Sequence, residues 1–127
     1  MIDFYDDVLY TKTNEWARKV DDVVRVGIDD YSQASLGDIV HIEVAEVGTR
    51  VETGKSFGAI EATKSVTEIN APISGVIARV NDEVLKAPGL INLAPFDEGW
   101  IAEITPDDIA ELDALMNAEA YKKFIAQ

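Results

Sequence analysis

Lys64 is the residue most open to chemistry. It sits at the centre of Thr63-Lys64-Ser65, between Phe57 through Ala62 and Val66 through Ala71, two segments that read as strands. A β-hairpin tip projects its central side chain into solvent and holds the backbone beneath it. That geometry suits the presentation of an amine to an acylating enzyme, which removes the charge and leaves a long neutral arm. An exposed lysine is ordinarily only a solvated charge, so local context leaves both readings open. Glu61, three residues before it, is either a strand-surface acid or a recognition element for that enzyme.

Other chemistries have little to work with. The chain has no cysteine, which excludes disulfides, thiolate nucleophiles and cysteine-based metal sites. His41 is the single histidine, so a multi-histidine metal centre is excluded, and its alternation with apolar neighbours marks a surface or edge position. Acid pairs such as Asp29-Asp30 and Asp107-Asp108 could serve a carboxylate hydrolase as acid and base. Both sit where helix caps belong, and the structural reading is preferred.

The elements that must position Lys64 are mostly short strands cut by Gly and Pro. Trp16–Val20 and Val23–Ile28 flank Asp21-Asp22, a tight hairpin turn, and Val24, Val26 and Ile28 alternate as one buried face. The spacing predicts a short helix from Asp29 or Asp30 to Gly37, capped by the acid at one end and the glycine at the other. Val40, Ile42 and Val44 alternate along another strand, and Pro72 ends the strand that follows Lys64. Val76–Val80 and Trp100–Ile104 read as strands, with Asn81-Asp82 and Ala87-Pro88-Gly89 as turns between them. Thr105-Pro106-Asp107-Asp108 reads as a helix start with a threonine cap and proline at its first position. Ile109, Leu112, Leu115 and Met116 then form the buried stripe of that helix, and Asn117 interrupts it or caps a second helix carrying Tyr121 and Phe124. Trp16 and Trp100 read as packing groups of the core or its rim. Many short strands with regular turns indicate a mainly β barrel or sandwich.

The 127 residues amount to one domain, β-rich over about 10–104 and helical over about 105–127. Lys and Arg total 11 against 24 Asp and Glu, a net charge of -13. That charge disfavours nucleic acid and anionic membrane surfaces, and favours protein partners with basic docking faces. No stretch approaches the roughly 20 apolar residues of a membrane span. The acidic start Met1-Ile2-Asp3-Phe4-Tyr5-Asp6-Asp7 lacks a signal peptide's pattern.

In order and spacing the sequence resembles the glycine cleavage system H-protein family. The family's attachment motif is typically Glu-Ser-Val-Lys-Ala, and this chain has Glu61-Ala62-Thr63-Lys64-Ser65. Matching stretches include Val26-Gly27-Ile28-Asp29-Asp30-Tyr31-Ser32-Gln33, Leu36-Gly37-Asp38-Ile39-Val40, Ala71-Pro72-Ile73-Ser74-Gly75 and Pro95-Phe96-Asp97-Glu98-Gly99-Trp100. Asn14-Glu15-Trp16 stands where the family commonly has His-Glu-Trp.

The resemblance implies a barrel-sandwich hybrid of two small antiparallel sheets, with a short internal helix and a C-terminal helical segment. It implies lipoate amide-linked to Lys64, within the attachment context of Glu61, Ala62, Thr63 and Ser65, on a carrier that catalyses nothing itself. The arm would take an aminomethyl group from glycine decarboxylase, a pyridoxal-phosphate enzyme. It would pass that group to an aminomethyltransferase that uses tetrahydrofolate, and be reoxidised by dihydrolipoyl dehydrogenase. A lipoate ligase or a lipoyl/octanoyl transferase would load it. Glu15 is the candidate carboxylate for the aminomethyl ammonium in a sheltering cleft. The expected location is the cytoplasm, or the mitochondrial matrix for a mature eukaryotic chain. A biotin carrier fits less well, since methionines typically flank its lysine. A lipoyl-relay protein supplying other enzymes, and an unmodified interaction module, share the fold and stay open.

Overall fold

The computed structural model describes residues 2–126. Nine strands form two antiparallel sheets. They are β1 (Leu9–Tyr10), β2 (Glu15–Val20), β3 (Val23–Ile28), β4 (Ile39–Val44), β5 (Arg50–Val51), β6 (Ser56–Ala62), β7 (Val66–Asn70), β8 (Gly75–Val80) and β9 (Ala102–Pro106). The larger sheet has the order β1-β2-β3-β9-β8-β5, the smaller β4-β6-β7. Neither closes into a barrel; six strands make the larger sheet more extensive than the small pair expected, but the two-sheet antiparallel architecture stands. Among the described residues there are also four short α-helices: α1 (Asp30–Leu36), α2 (Asp82–Lys86), α3 (Leu90–Leu93) and α4 (Ala118–Ile125). Among the described residues no helix is long and apolar enough to cross a membrane.

The alternating valines of β3 explain the main core. Val24, Val26 and Ile28 point inward with Ile77 and Ile104 of the larger sheet, and meet Ile42, Ile60 and Ile69 of the smaller one. Removing each such side chain from water stabilises the fold by about 1.5–3 kcal/mol. The β2–β3 turn at Asp21-Asp22 places Asp21 in the left-handed region, at φ 52°. Asp29 caps α1 through a bond from the Ser32 amide, and Gly37 ends it at φ 78°, a backbone glycine takes without strain.

A second, aromatic cluster lies around Trp16, Tyr10, Phe96, Trp100 and Tyr121. Gly27, opposite Trp16 on β3, makes room for the indole, which donates to the carbonyls of Ile28 and Pro95. Tyr121 of α4 stacks on Tyr10 at 4.5 Å between ring centroids. Asn117 caps α4 by accepting from the Ala120 amide, which decides between the two readings of Asn117 in favour of a second helix.

Three expectations are corrected. Asn81-Asp82 and Ala87-Pro88-Gly89 do not simply turn: α2 and α3 occupy this stretch, and Asn81 caps α2 while its amide donates to the carbonyls of Glu98 and Trp100. Thr105 and Pro106 end strand β9 instead of starting a helix, because Thr105 pairs with Val76 and Pro106 with Gly75 of β8. Proline is tolerated at a strand's end, where its missing N–H costs little. The helix that follows is a 3-10 turn, Ile109–Ala114, capped by Asp108. Its tighter winding breaks the expected stripe: Leu112 and Leu115 pack on the core, but Ile109 is 42% exposed.

Candidate functional site

Strand β6 is the middle strand of the smaller sheet and β7 its edge, so the β6–β7 connection is anchored on one side only. Thr63, Lys64 and Ser65 form that connection, and all three are exposed. Their backbone is nonetheless pinned. The Ala62 amide donates to the Ser65 carbonyl at 2.8 Å, and the Thr63 amide donates to the Asp38 carbonyl at 3.2 Å. Ala62 is buried beneath them, which fixes the tip to the core, while Glu61 is exposed and pairs in register with His41. Lys64, Glu61, Ala62, Thr63 and Ser65 line one shallow depression with Val40 and Val66. Val40 is 55% and Val66 65% exposed, so apolar surface flanks the amine. An amine held at such a tip is open to an outside enzyme, and an acyl arm on it is free to sweep. These features fit a covalently attached acyl group.

Glu15 lies elsewhere. Its carboxyl is 1% exposed and fully engaged. Oε1 accepts from the hydroxyls of Thr11 and Thr13, and Oε2 accepts from the Asn70 amide at 3.0 Å. Asn70 ends β7, six residues beyond Lys64, which places the two sites roughly 20 Å apart at about 3.3 Å per residue. Burial pushes the Glu15 carboxyl above the usual range, against the pull of the two hydroxyls and the Asn70 amide. Thr13, whose hydroxyl donates to Glu15, is itself exposed. A groove of about 340 Å³ runs between the Thr11–Thr13 turn, the Ala71-Pro72 step and the Leu115-Met116 segment.

The sequence reading missed the surroundings of Glu15. Asn14 has φ 72°, and its side-chain oxygen accepts from the Tyr121 hydroxyl at 2.8 Å. Its carbonyl accepts from the Asp29 amide. Of the two acids the sequence offers as the α1 cap, Asp29 is the one that caps, and its 1% exposure leaves no signal in the sequence. The Thr11-x-Thr13-x-Glu15 spacing was the one available signal that two hydroxyls serve one carboxylate.

His41 is exposed on β4, 3.5 Å from the Glu43 carboxylate. Asp107 pairs with Arg50, and Asp108 caps the 3-10 turn, so neither acts as a free acid. Among the described residues no group of His and acids is arranged to hold a metal ion.

The model of the family described as "Glycine cleavage H-protein" matches residues 8–127. The glycine cleavage system H protein of Anaeromyxobacter sp. (strain K) is 47% identical over 122 residues, covering 96% of this chain and 95% of that one. The Thermus thermophilus protein of the same name is 44% identical over 124 residues, covering 98% and 97%. A crystal structure of a glycine cleavage system H protein from Mycobacterium marinum superposes with a TM-score of 0.90 at 32% identity, covering 98% of this chain and 100% of that one.

Proposed function

Because the chain belongs to the glycine cleavage H-protein family, whose members are lipoyl carriers and not catalysts, we propose that Lys64 is its lipoyl attachment residue. The observation that carries this reading is the exposed amine on a hairpin whose backbone is pinned to Asp38 and Ala62. When bound, the lipoyl group supplies a disulfide that takes up the aminomethyl fragment of glycine, yields it to tetrahydrofolate chemistry and is reoxidised.

The chain's own residues supply placement. The pinned tip fixes the arm's pivot, and a tether raises the concentration of its end at each partner's site. Glu61, Ala62, Thr63 and Ser65 form the surface a lipoate ligase or lipoyl/octanoyl transferase reads. The outward face of β7 carries Val66 and Glu68 and leads from the tip toward Asn70, whose amide donates to Glu15. Glu15, whose Oε1 accepts from Thr11 and Thr13, would hold the loaded arm's ammonium by a charge-assisted bond. The partners are glycine decarboxylase, the aminomethyltransferase and dihydrolipoyl dehydrogenase, steered to the acidic surface by basic docking faces.

The test is glycine-dependent release of carbon dioxide by glycine decarboxylase supplied with the lipoylated chain. The chain is expected to support turnover, and Lys64→Arg is expected to support none. Turnover with Lys64→Arg would overturn the assignment.

A further inference from the structure

Among the described residues Leu93 is the most exposed large apolar side chain, at 82%. One exposed leucine is ordinary on a protein surface. This one is held rigidly and has apolar company. It ends α3, whose inward residues are already engaged: Ile91 is buried and Leu90 packs against the main core. Asn92, one residue earlier, ties this end of α3 to the α1–β4 connection. Its Oδ1 accepts from the Ile39 amide at 3.0 Å, and its Nδ2 donates to the Gly37 carbonyl at 2.9 Å and to Gln33 Oε1 at 3.0 Å. The same connection holds the lysine tip, since the Asp38 carbonyl accepts from the Thr63 amide. Leu93 and Lys64 are therefore mounted on one short segment, Gly37-Asp38-Ile39.

The surface between them is continuous. An open depression of about 430 Å³ runs from Leu93 and Leu90 to Asp38 and Ile39, and the depression at the tip begins at Val40, the next residue. Leu93 thus extends the apolar flank that Val40 and Val66 give the amine. The rim is acidic. Asp38 and Glu61 are exposed on the tip side, and on the other side Leu93 borders a smaller cleft with Asp30 and Asp97. Among the described residues neither Asp38 nor Glu61 forms an ion pair. The lining of these three depressions contains one cation, Lys64 itself. An apolar centre inside a charged rim is the make-up of a protein-binding surface, and the sign of the rim sets the sign of its partner.

We propose that Leu93 is a docking anchor for the enzyme that acylates Lys64: an apolar hollow on that enzyme, edged by Lys or Arg side chains, seats Leu93 while the tip enters its active site. The identity of the occupant follows from where each reaction takes place. The lysine amine is the reacting atom for the loading enzyme alone, so that enzyme must close over the surface beside it. Later partners react at the far end of the arm and have no need to cover that surface. The inference rests on the proposed function for the acyl group and names a specificity residue outside the attachment loop.

The experiment times the transfer of lipoate to the full unlipoylated chain by a lipoate ligase with ATP, followed by intact mass at several carrier concentrations. Leu93→Ser is expected to lower kcat/KM for the carrier by about tenfold or more, through KM with kcat held. Leu93→Met is expected to restore most of the loss. Asp38→Asn leaves the backbone carbonyl in place, and is expected to lower kcat/KM about two- to threefold at low salt and not at high salt. The urea midpoint of Leu93→Ser is expected to match that of the parent, because the side chain already lies in water. Carrier loaded to completion is then supplied to glycine decarboxylase, where Leu93→Ser is expected to turn over like the parent. A parent that gains no lipoyl group would overturn the proposed function and this inference with it. A loaded parent beside Leu93→Ser with the same KM would overturn this inference alone, and a fall in decarboxylase turnover in that case would give the anchor to the decarboxylase.

Discussion

The two ends of strand β7 work by opposite means. At one end Lys64 stands exposed, and only the backbone beneath it is held. At the other, Glu15, Asn14, Asp29 and Tyr121 form a knot of polar groups under the C-terminal helix, with the two carboxylates almost wholly excluded from water. A side chain that must be reached by other enzymes gains nothing from local partners. On the proposed function, the Glu15 carboxylate gains from low dielectric and fixed donors in holding a cation. Substitutions at the tip should therefore erase function and spare the fold, while substitutions in the knot should do both kinds of damage.

The largest test of that contrast is Tyr121→Ala. It removes the ring stacked on Tyr10 and the hydroxyl bonded to Asn14, and should cost about 3–5 kcal/mol in urea unfolding. A loss no larger than that of a surface change would show that the C-terminal helix is not part of the knot.

Asp29→Asn should act with a sign set by pH. The Asp29 carboxyl lies at about 6 in the fold against an ordinary 3.8, so folding favours its protonated form. Its contribution is fully present below the unfolded value and is lost as pH rises through the folded one. A gap of this size corresponds to about 2–3 kcal/mol. Asp29→Asn should therefore match the parent at about pH 4 and exceed its stability by up to that amount at neutral pH. The unfolding free energies of the two chains, compared across that range, check this. A constant difference would mean that the carboxyl does not titrate in the fold.

Gly27→Ala is a smaller break on the same side. An added Cβ would meet the Trp16 ring at 2.7 Å, and the displaced indole should cost about 1–3 kcal/mol, read as a lowered thermal midpoint. At the tip, Thr63→Val and Lys64→Arg should each change stability by less than about 0.5 kcal/mol. A larger effect of Thr63→Val would show that its hydroxyl, 3.5 Å from the Asp38 carbonyl, helps to hold the loop.

The same contrast explains what could be read in the sequence. The tip is local: strand, three exposed residues, strand, all within Ser56 to Asn70. The α1 caps and the Asp21-Asp22 turn are local too, and each residue type announces its own backbone need. The knot is not. Tyr121 meets Asn14 across 107 positions, and Glu15 meets Asn70 across 55. Neither pairing leaves a periodicity. The Thr105-Pro106 misreading has the same origin, since a good local helix start yielded to the ladder offered by Gly75 and Val76. Asn81 carries only a turn signal in the sequence because its partners Glu98 and Trp100 lie 17 and 19 positions away.

The central claim is the acylation of Lys64. The most direct measurement is the intact mass of the chain after incubation with lipoate, ATP and a lipoate ligase, beside a Lys64→Arg control. One lipoyl group gained by the parent and none by the control is the predicted result. A parent chain that gains none while the ligase loads another carrier in the same tube, or a control that gains one, would contradict it.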